Sequence, residues 1–260
     1  MNHPFLVGLE HCFQTKEKIF FATRLVRGGE LFQHLRKHKR FSESRTKFYG
    51  AIIALALGHL HSHHIIHRDM KPENILMDDD GYLAITDFGM AKILMNEDDK
   101  TNTFCGSLEY MGISVGDMNK NNFFTAPEVV AESGHAKEAD WWGLGVLMYE
   151  LMVGVPPFYH QNHSIMLRKI QKSELAFPHD LKISDEARDF IVQCLMKNPQ
   201  ERLGCKEDIK EIMAHPWFSD IDWDALLKKE VLKIDTYLVL LICCEDSSTF
   251  QTNFCFCNIY

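Results

Sequence analysis

Apolar positions change their spacing along the chain, and the changes mark out its elements. Phe5 to Leu9 and Ile19 to Val26 are short apolar runs around a polar turn, Gln14 to Lys18, and predict a hairpin of two strands. Gly28 and Gly29 interrupt that pattern. Glu30 to Lys39 then reads as a short helix whose basic end suits its C-terminal dipole. Ser42 is placed to cap a long helix in which Phe48, Ile52, Leu55, Ala56 and Leu60 recur at helical spacing. Further on, Asp78-Asp79-Asp80-Gly81 is a turn signal between Asn74 to Met77 and Tyr82 to Thr86. It predicts a strand pair that brings Asn74 close to Asp87. Helical patterns resume at Asp140 to Val153, Ser164 to Lys172, Ser184 to Met196 and Lys206 to Ala214. The expected fold class is α+β, with strands early and helices over the C-terminal two-thirds.

Composition narrows the class of function. The chain has 260 residues, 46% of them hydrophobic, which is enough to bury a substantial core. A formal charge of −8 argues against a nucleic-acid partner and leaves room for a cationic one. Half of the eight cysteines crowd into the last eighteen residues and none forms C-x-x-C. With a start, Met1-Asn2-His3-Pro4, that has no charged and apolar leader, this favours the reducing cytoplasm, or the nucleus, over a secreted disulfide framework. The most apolar run, Tyr237 to Cys244, is far shorter than the roughly 20 residues a membrane helix needs. No membrane span is expected.

The candidate chemistry lies in one octet, His67-Arg68-Asp69-Met70-Lys71-Pro72-Glu73-Asn74, followed thirteen residues after Asn74 by Asp87-Phe88-Gly89. Taken singly, an Asp or Asn in a polar stretch is a turn or capping residue. Phosphoryl transfer, however, asks a protein for fixed oxygen ligands to a metal and a positioned proton acceptor rather than a strong nucleophile. The octet and triplet supply both. The histidines at 59, 61, 63 and 64, with His67, invite a metal reading, but i, i+2 spacing does not place ligands on one helical face.

These motifs resemble those of eukaryotic protein kinases, and more narrowly the AGC group of serine/threonine kinases, from about His3 to about Val231. The resemblance implies a protein-kinase-like fold. Residues 1–27 would be part of the small β lobe and the hinge, 28–218 a helical large lobe carrying an insertion at 112–125, and 219–260 an atypical tail. It implies Asp69 as catalytic base, Lys71 reaching the transferred phosphate, and Asn74 and Asp87 as ligands of Mg²⁺. ATP is the implied cofactor. Thr23 falls at the gatekeeper, Arg24, Leu25 and Val26 at the hinge, and Leu76 beside the nucleotide. Arg24 departs from the acidic residue common there. Glu30 resembles the carboxylate that touches the ribose and a substrate arginine. With Glu73 and Glu150 it would select protein substrates with basic residues upstream of the Ser or Thr. Thr103 resembles the site of an upstream activating kinase, its phosphate pairing with Arg68. Structural roles are implied for His67 beneath Phe88, for an ion pair of Glu128 with Arg202, and for Asp140 as holder of the catalytic loop.

Three departures stand beside the resemblance. The glycine-rich loop, strand lysine and helix glutamate of the family's nucleotide clamp precede the position of Met1, so little turnover is expected of the chain as written. Gly112 to Thr125 interrupts the segment joining Glu109-Tyr110-Met111 to Ala126-Pro127-Glu128, and Ser107-Leu108 replaces the usual Thr-Pro. Codons for Gly112 allow a donor-like start, and those for Phe123 to Ala126 a pyrimidine-rich, AG-terminated end, so a translated intron is favoured over a surface insertion. Beyond Val231 the tail is apolar and lacks the hydrophobic motif of the group. The alternatives are a truncated pseudokinase serving as a docking module, or an incomplete gene product.

Overall fold

A computed structural model describes residues 2–95, 99–101 and 124–231. Thr103, Ser107-Leu108, the stretch from Gly112 to Phe123 and the tail from Leu232 lie outside them. Among the described residues, six short strands form three antiparallel pairs and eight α-helices follow or surround them, the α+β class expected from the pattern.

The first pair is the hairpin β1 (Leu9–Gln14) and β2 (Ile19–Thr23), with Gln14 opposite Ile19 and a bulge between Leu9 and His11. Its turn closes where expected: the Thr15 N–H donates to the Lys18 carbonyl at 2.8 Å. The first strand starts four residues later than the apolar run suggests. Phe5, Leu6 and Val7 are buried and bond elsewhere, Ile85 N–H to the Phe5 carbonyl and Val7 N–H to the Ile85 carbonyl, both at 2.9 Å. An apolar run reports burial; it does not name the partner strand. β1 itself is exposed along its length. The second strand likewise stops at Thr23 rather than Val26, and Leu25 turns outward, 69% exposed.

Helix α1 (Leu31–His38) follows an extended Glu30 and ends on Arg36, Lys37 and His38, which suits the negative end of its dipole. Helix α2 (Glu43–Ser62) starts at Ser42, whose hydroxyl accepts the Arg45 N–H at 3.4 Å. Between them, α2 and α4 (Glu138–Val153) make the middle of the core. Ala51 to Ala54 and Ala56 to Leu57 in one, and Trp141 to Leu147 in the other, are buried on every face. A helix apolar all round belongs inside a domain rather than on its surface. Gly145 allows the close approach of α6 (Asp185–Cys194), because a Cβ there would lie 2.6 Å from the Cys194 Cβ.

Around that pair lie α3 (Pro127–Val130), α5 (His163–Lys172), α7 (Ile209–Ala214) and α8 (Trp223–Leu227). The four helices foreseen in this region all form, with shifted ends. α4 begins two residues early, which puts Asp140 in its first turn. α7 begins at Ile209 rather than Lys206, because Asp208 at φ 56° cannot continue a right-handed helix. α3 and α8 are too short to leave a periodic signal. Through Val231 the described chain packs back on the core: Leu226 is buried, and the Tyr82 hydroxyl donates to the Val231 carbonyl at 2.8 Å. No described helix is long and apolar enough to cross a membrane.

Candidate active site

The octet forms the loop between two small strand pairs. β3 (Ile65–Ile66) pairs with β6 (Lys92–Ile93), and β4 (Ile75–Met77) pairs with β5 (Leu83–Ile85), with Ile75 opposite Ile85. The second pairing is the one anticipated between Asn74 and Asp87. It is extended by the Thr86 N–H, which donates to the Asn74 carbonyl at 2.9 Å, so the two residues flank one ladder. Arg68 and Asp87 both have left-handed backbones, φ 68° and 58°. Such conformations cost a non-glycine residue of order 1–3 kcal/mol and persist only where the surroundings over-determine them.

Asp140 supplies part of that determination. Its Oδ1 accepts the Arg68 N–H at 2.7 Å and its Oδ2 the His67 N–H at 2.8 Å, so a carboxylate in the first turn of α4 grips two consecutive loop amides. Burial alone would raise the Asp140 pKa. The hydrogen bond and charge of His61, the His67 ring and the Arg68 amide outweigh it and hold the carboxyl below its usual range. His67 is fully buried, and its ring meets Phe88 edge-on, 5.5 Å between centroids. The Arg68 guanidinium turns toward the triplet, where its Nε donates to the Met90 carbonyl at 2.7 Å.

Three side chains converge above this base. Lys71 Nζ lies 2.6 Å from Asp69 Oδ2, and Asn74 Nδ2 donates to the same oxygen at 2.8 Å and to the Asp69 carbonyl at 2.9 Å. Asp69 and Lys71 are only partly covered, their side chains 21% and 13% exposed, so the cluster stays open to solvent. Across the ladder Asp87 is exposed, and its Oδ1 accepts the Gly89 N–H at 3.1 Å. The arrangement presents one acceptor carboxylate held by a cation and an amide, with a second carboxylate free to meet a charged ligand.

The stretch from Gly28 to Glu30, which follows the expected hinge, lies along β4. Gly28 N–H donates to the Met77 carbonyl at 2.8 Å, Met77 N–H returns to the Gly29 carbonyl at 2.9 Å, and Glu30 bridges to Leu76. Gly28 is required by this approach: a Cβ there would stand 2.6 Å from the Met77 carbonyl oxygen. Thr23 closes the hairpin opposite Leu9 and is exposed, as is Arg24. The Arg24 N–H reaches the Gly8 carbonyl at 3.2 Å, and Val26 is partly covered.

Of the three acidic residues expected around one groove, Glu30 acts by its charge on Glu73, and Glu73 on Glu150. Burial raises the Glu73 pKa, and the charges of Glu30 and Asp69 raise it further. Burial raises Glu150 to about 7, helped by the charge of Glu73. One Glu150 oxygen, Oε2, is buried with no hydrogen-bond partner. Glu73 sits in the 3₁₀ turn Pro72–Asn74, and Glu150 lies near the end of α4. The ion pair of Glu128 with Arg202 forms deep in the fold, with two bonds of 2.6 and 2.8 Å.

Sequence reasoning missed one pair of residues behind the loop. His61 lies 2.9 Å from Asp140 Oδ2 through Nε2 and 2.8 Å from Asp208 Oδ1 through Nδ1. The clue was available only in part. His61 stands four residues after Leu57 on a buried face of α2, but Asp208 comes from the start of α7, 147 positions away.

The sequence pattern of the protein kinase domain family matches residues 1–218. A RAC family serine/threonine-protein kinase homolog of Dictyostelium discoideum is 45% identical over 232 residues, 89% of this chain and 48% of that protein. The serine/threonine-protein kinase sgk-1 of Caenorhabditis elegans is 44% identical over 88% of the chain and 46% of its own length. The RAC serine/threonine-protein kinase of Drosophila melanogaster is 43% identical over 88% of the chain and 35% of its own. The chain thus spans about half or less of the length of these relatives. Its octet, its loop geometry and these likenesses agree: the chain belongs to the protein kinase family, within the AGC group of serine/threonine kinases.

Proposed function

We propose that this chain carries the phosphotransfer machinery of a serine/threonine kinase, moving the γ-phosphate of ATP to a Ser or Thr hydroxyl in a basic peptide context. The observation that carries the reading is the partly exposed Asp69, Lys71 and Asn74 cluster, with contacts of 2.6 to 2.9 Å. Asp69 orients the hydroxyl and takes its proton. Lys71, bonded to Asp69, places a positive charge where the transferred group gains negative charge. Thr23, Arg24, Val26, Glu30 and Leu76 form the adenosine side.

The donor set suits Mg²⁺. Asn74 commits its amide nitrogen to Asp69, which leaves its oxygen for a cation, and Asp87 offers a carboxylate across the ladder. Two hard oxygen donors fit that ion rather than a softer metal. When bound, the ion neutralises charge on the phosphates. The three acidic residues support the basic-context part. A carboxylate held up to about 7 by burial and a like charge gains most from a guanidinium, and Glu150 has an oxygen without a partner. Phosphorylation of Thr103 by an upstream kinase, paired with Arg68, and a cytoplasmic setting complete the proposal.

The test is transfer of labelled phosphate from Mg-ATP to Arg-rich and acidic peptides by the full-length gene product and by Asp69→Asn. Transfer to the Arg-rich peptide that is lost in the variant supports the reading. Transfer to the acidic peptide alone overturns the basic-context part. Peptide binding with no transfer and no nucleotide binding would make the protein a docking module.

A further inference from the structure

Both ring nitrogens of His61 face carboxylate oxygens, Asp140 Oδ2 at 2.9 Å and Asp208 Oδ1 at 2.8 Å. A neutral imidazole has one N–H and one lone pair, so it can donate to only one of two ionised carboxylates; an imidazolium donates to both. The ring has no exposed surface, and its neighbours reinforce the charged form. The Trp141 indole N–H donates to the same Asp208 oxygen at 2.9 Å, and the His61 ring meets Trp141 edge-on. Asp140 uses its other contacts to hold the His67 and Arg68 amides.

We propose that Asp208 is a remote positioning residue for the catalytic loop, acting through a protonated His61 that keeps Asp140 ionised and aimed at the His67 and Arg68 amides. Asp208 touches no residue of the octet in this relay. The link is chemical rather than steric: Asp208 stabilises the proton on Nδ1, the imidazolium stabilises the Asp140 charge, and Asp140 fixes the backbone of Arg68 in its left-handed conformation. The pKa of His61 agrees. Burial pushes it down, but the hydrogen bonds and charges of Asp140 and Asp208 prevail and raise it to about 9. Lys137 and Lys206 oppose the charge from a neighbouring cavity of about 260 Å³, Glu207 favours it, and His64 lies on the same wall. His67 also acts by its charge on Asp140.

The proposal deepens the kinase reading but is tested without relying on it. The full chain and its Asp208→Asn variant, which keeps an acceptor for Trp141, are compared by ¹⁵N spectra of the histidine rings and by amide exchange at His67 and Arg68. In the native protein both His61 ring nitrogens should be protonated at pH 7.5. In the variant His61 should lose a proton within one to two pH units of neutrality, and the two loop amides should exchange about tenfold faster above that point and not below it. Asp208→Glu should restore the native titration. A single neutral tautomer in the native protein at pH 7.5, or loop exchange in Asp208→Asn that is unchanged or faster by the same factor at every pH, overturns the proposal. If the full-length product also transfers phosphate, kcat of the variant should fall with rising pH while KM holds. Absence of transfer would count against the kinase reading alone.

Discussion

Arg202 grips Glu128 with two parallel bonds, Nη1 to Oε1 at 2.6 Å and Nη2 to Oε2 at 2.8 Å, in a site where neither side chain has more than 4% of its surface exposed. The same guanidinium donates to the carbonyls of Glu138 and Met196 and lies over the Trp142 ring. It therefore ties α3, the start of α4 and the segment just after α6 together. Removing either partner leaves a buried charge unpaired, which costs about 3–5 kcal/mol. Urea unfolding of Arg202→Met and Glu128→Leu should each show that loss. The double variant should be less destabilised than the sum, because no charge is stranded.

Asp69 is partly exposed, with its carboxylate shared by Lys71 and Asn74. Its replacement removes a proton acceptor but little packing. Asp69→Asn in the full-length product should lower phosphate transfer by about 10²- to 10⁴-fold. Its melting temperature should stay within about 4 °C of the native value, the shift expected for a change of less than 1 kcal/mol. Circular dichroism melts beside the transfer assay would separate the two effects.

Glu150 gives stability a pH dependence of definite sign. Its pKa rises in the fold from 4.5 to about 7, so the folded protein keeps a proton that the unfolded chain releases. That contribution is fully present below pH 4.5 and is lost as the pH rises through 7. The shift corresponds to roughly 3 kcal/mol at most. Glu150→Gln should accordingly be more stable than the native protein at pH 8 and similar to it at pH 4.5, as read from denaturant midpoints. An arginine-containing peptide that pairs with Glu150 should bind more tightly as the pH rises through 7.

His61 works in the same sense as Glu150 over a higher window. Its folded pKa, about 9, exceeds the ordinary 6.5, so its stabilisation is complete below pH 6.5 and is lost as the pH rises through 9. Denaturant midpoints at pH 6 and 9.5 should fall more steeply for the native protein than for Asp208→Asn, in which one of the two carboxylates is gone.

Much of the site could be read along the chain because its parts are close in sequence. Asp69, Lys71 and Asn74 lie within six residues, and the turn at Asp78 to Gly81 returns the chain so that Thr86 bonds Asn74 and Asp87 follows. Local chemistry decided these: a turn, a short strand pair and polar residues that have few other places to go. Capping was legible for the same reason, with Ser42 and Ser184 bonding the third residue after each.

What the sequence by itself determined, then, is the α+β order of elements, the octet and its triplet, and the caps and turns that place them. Only the tertiary structure decided which distant groups share a buried site. It paired Phe5 to Val7 with Ile85 instead of the hairpin, set Glu73 within reach of the charges of Glu30 and Glu150, and placed His61 between Asp140 and Asp208. The physical reason is that apolar pattern and charge along a chain report how much water a residue must lose. They do not say which partner, tens or hundreds of positions away, will satisfy it once the water is gone.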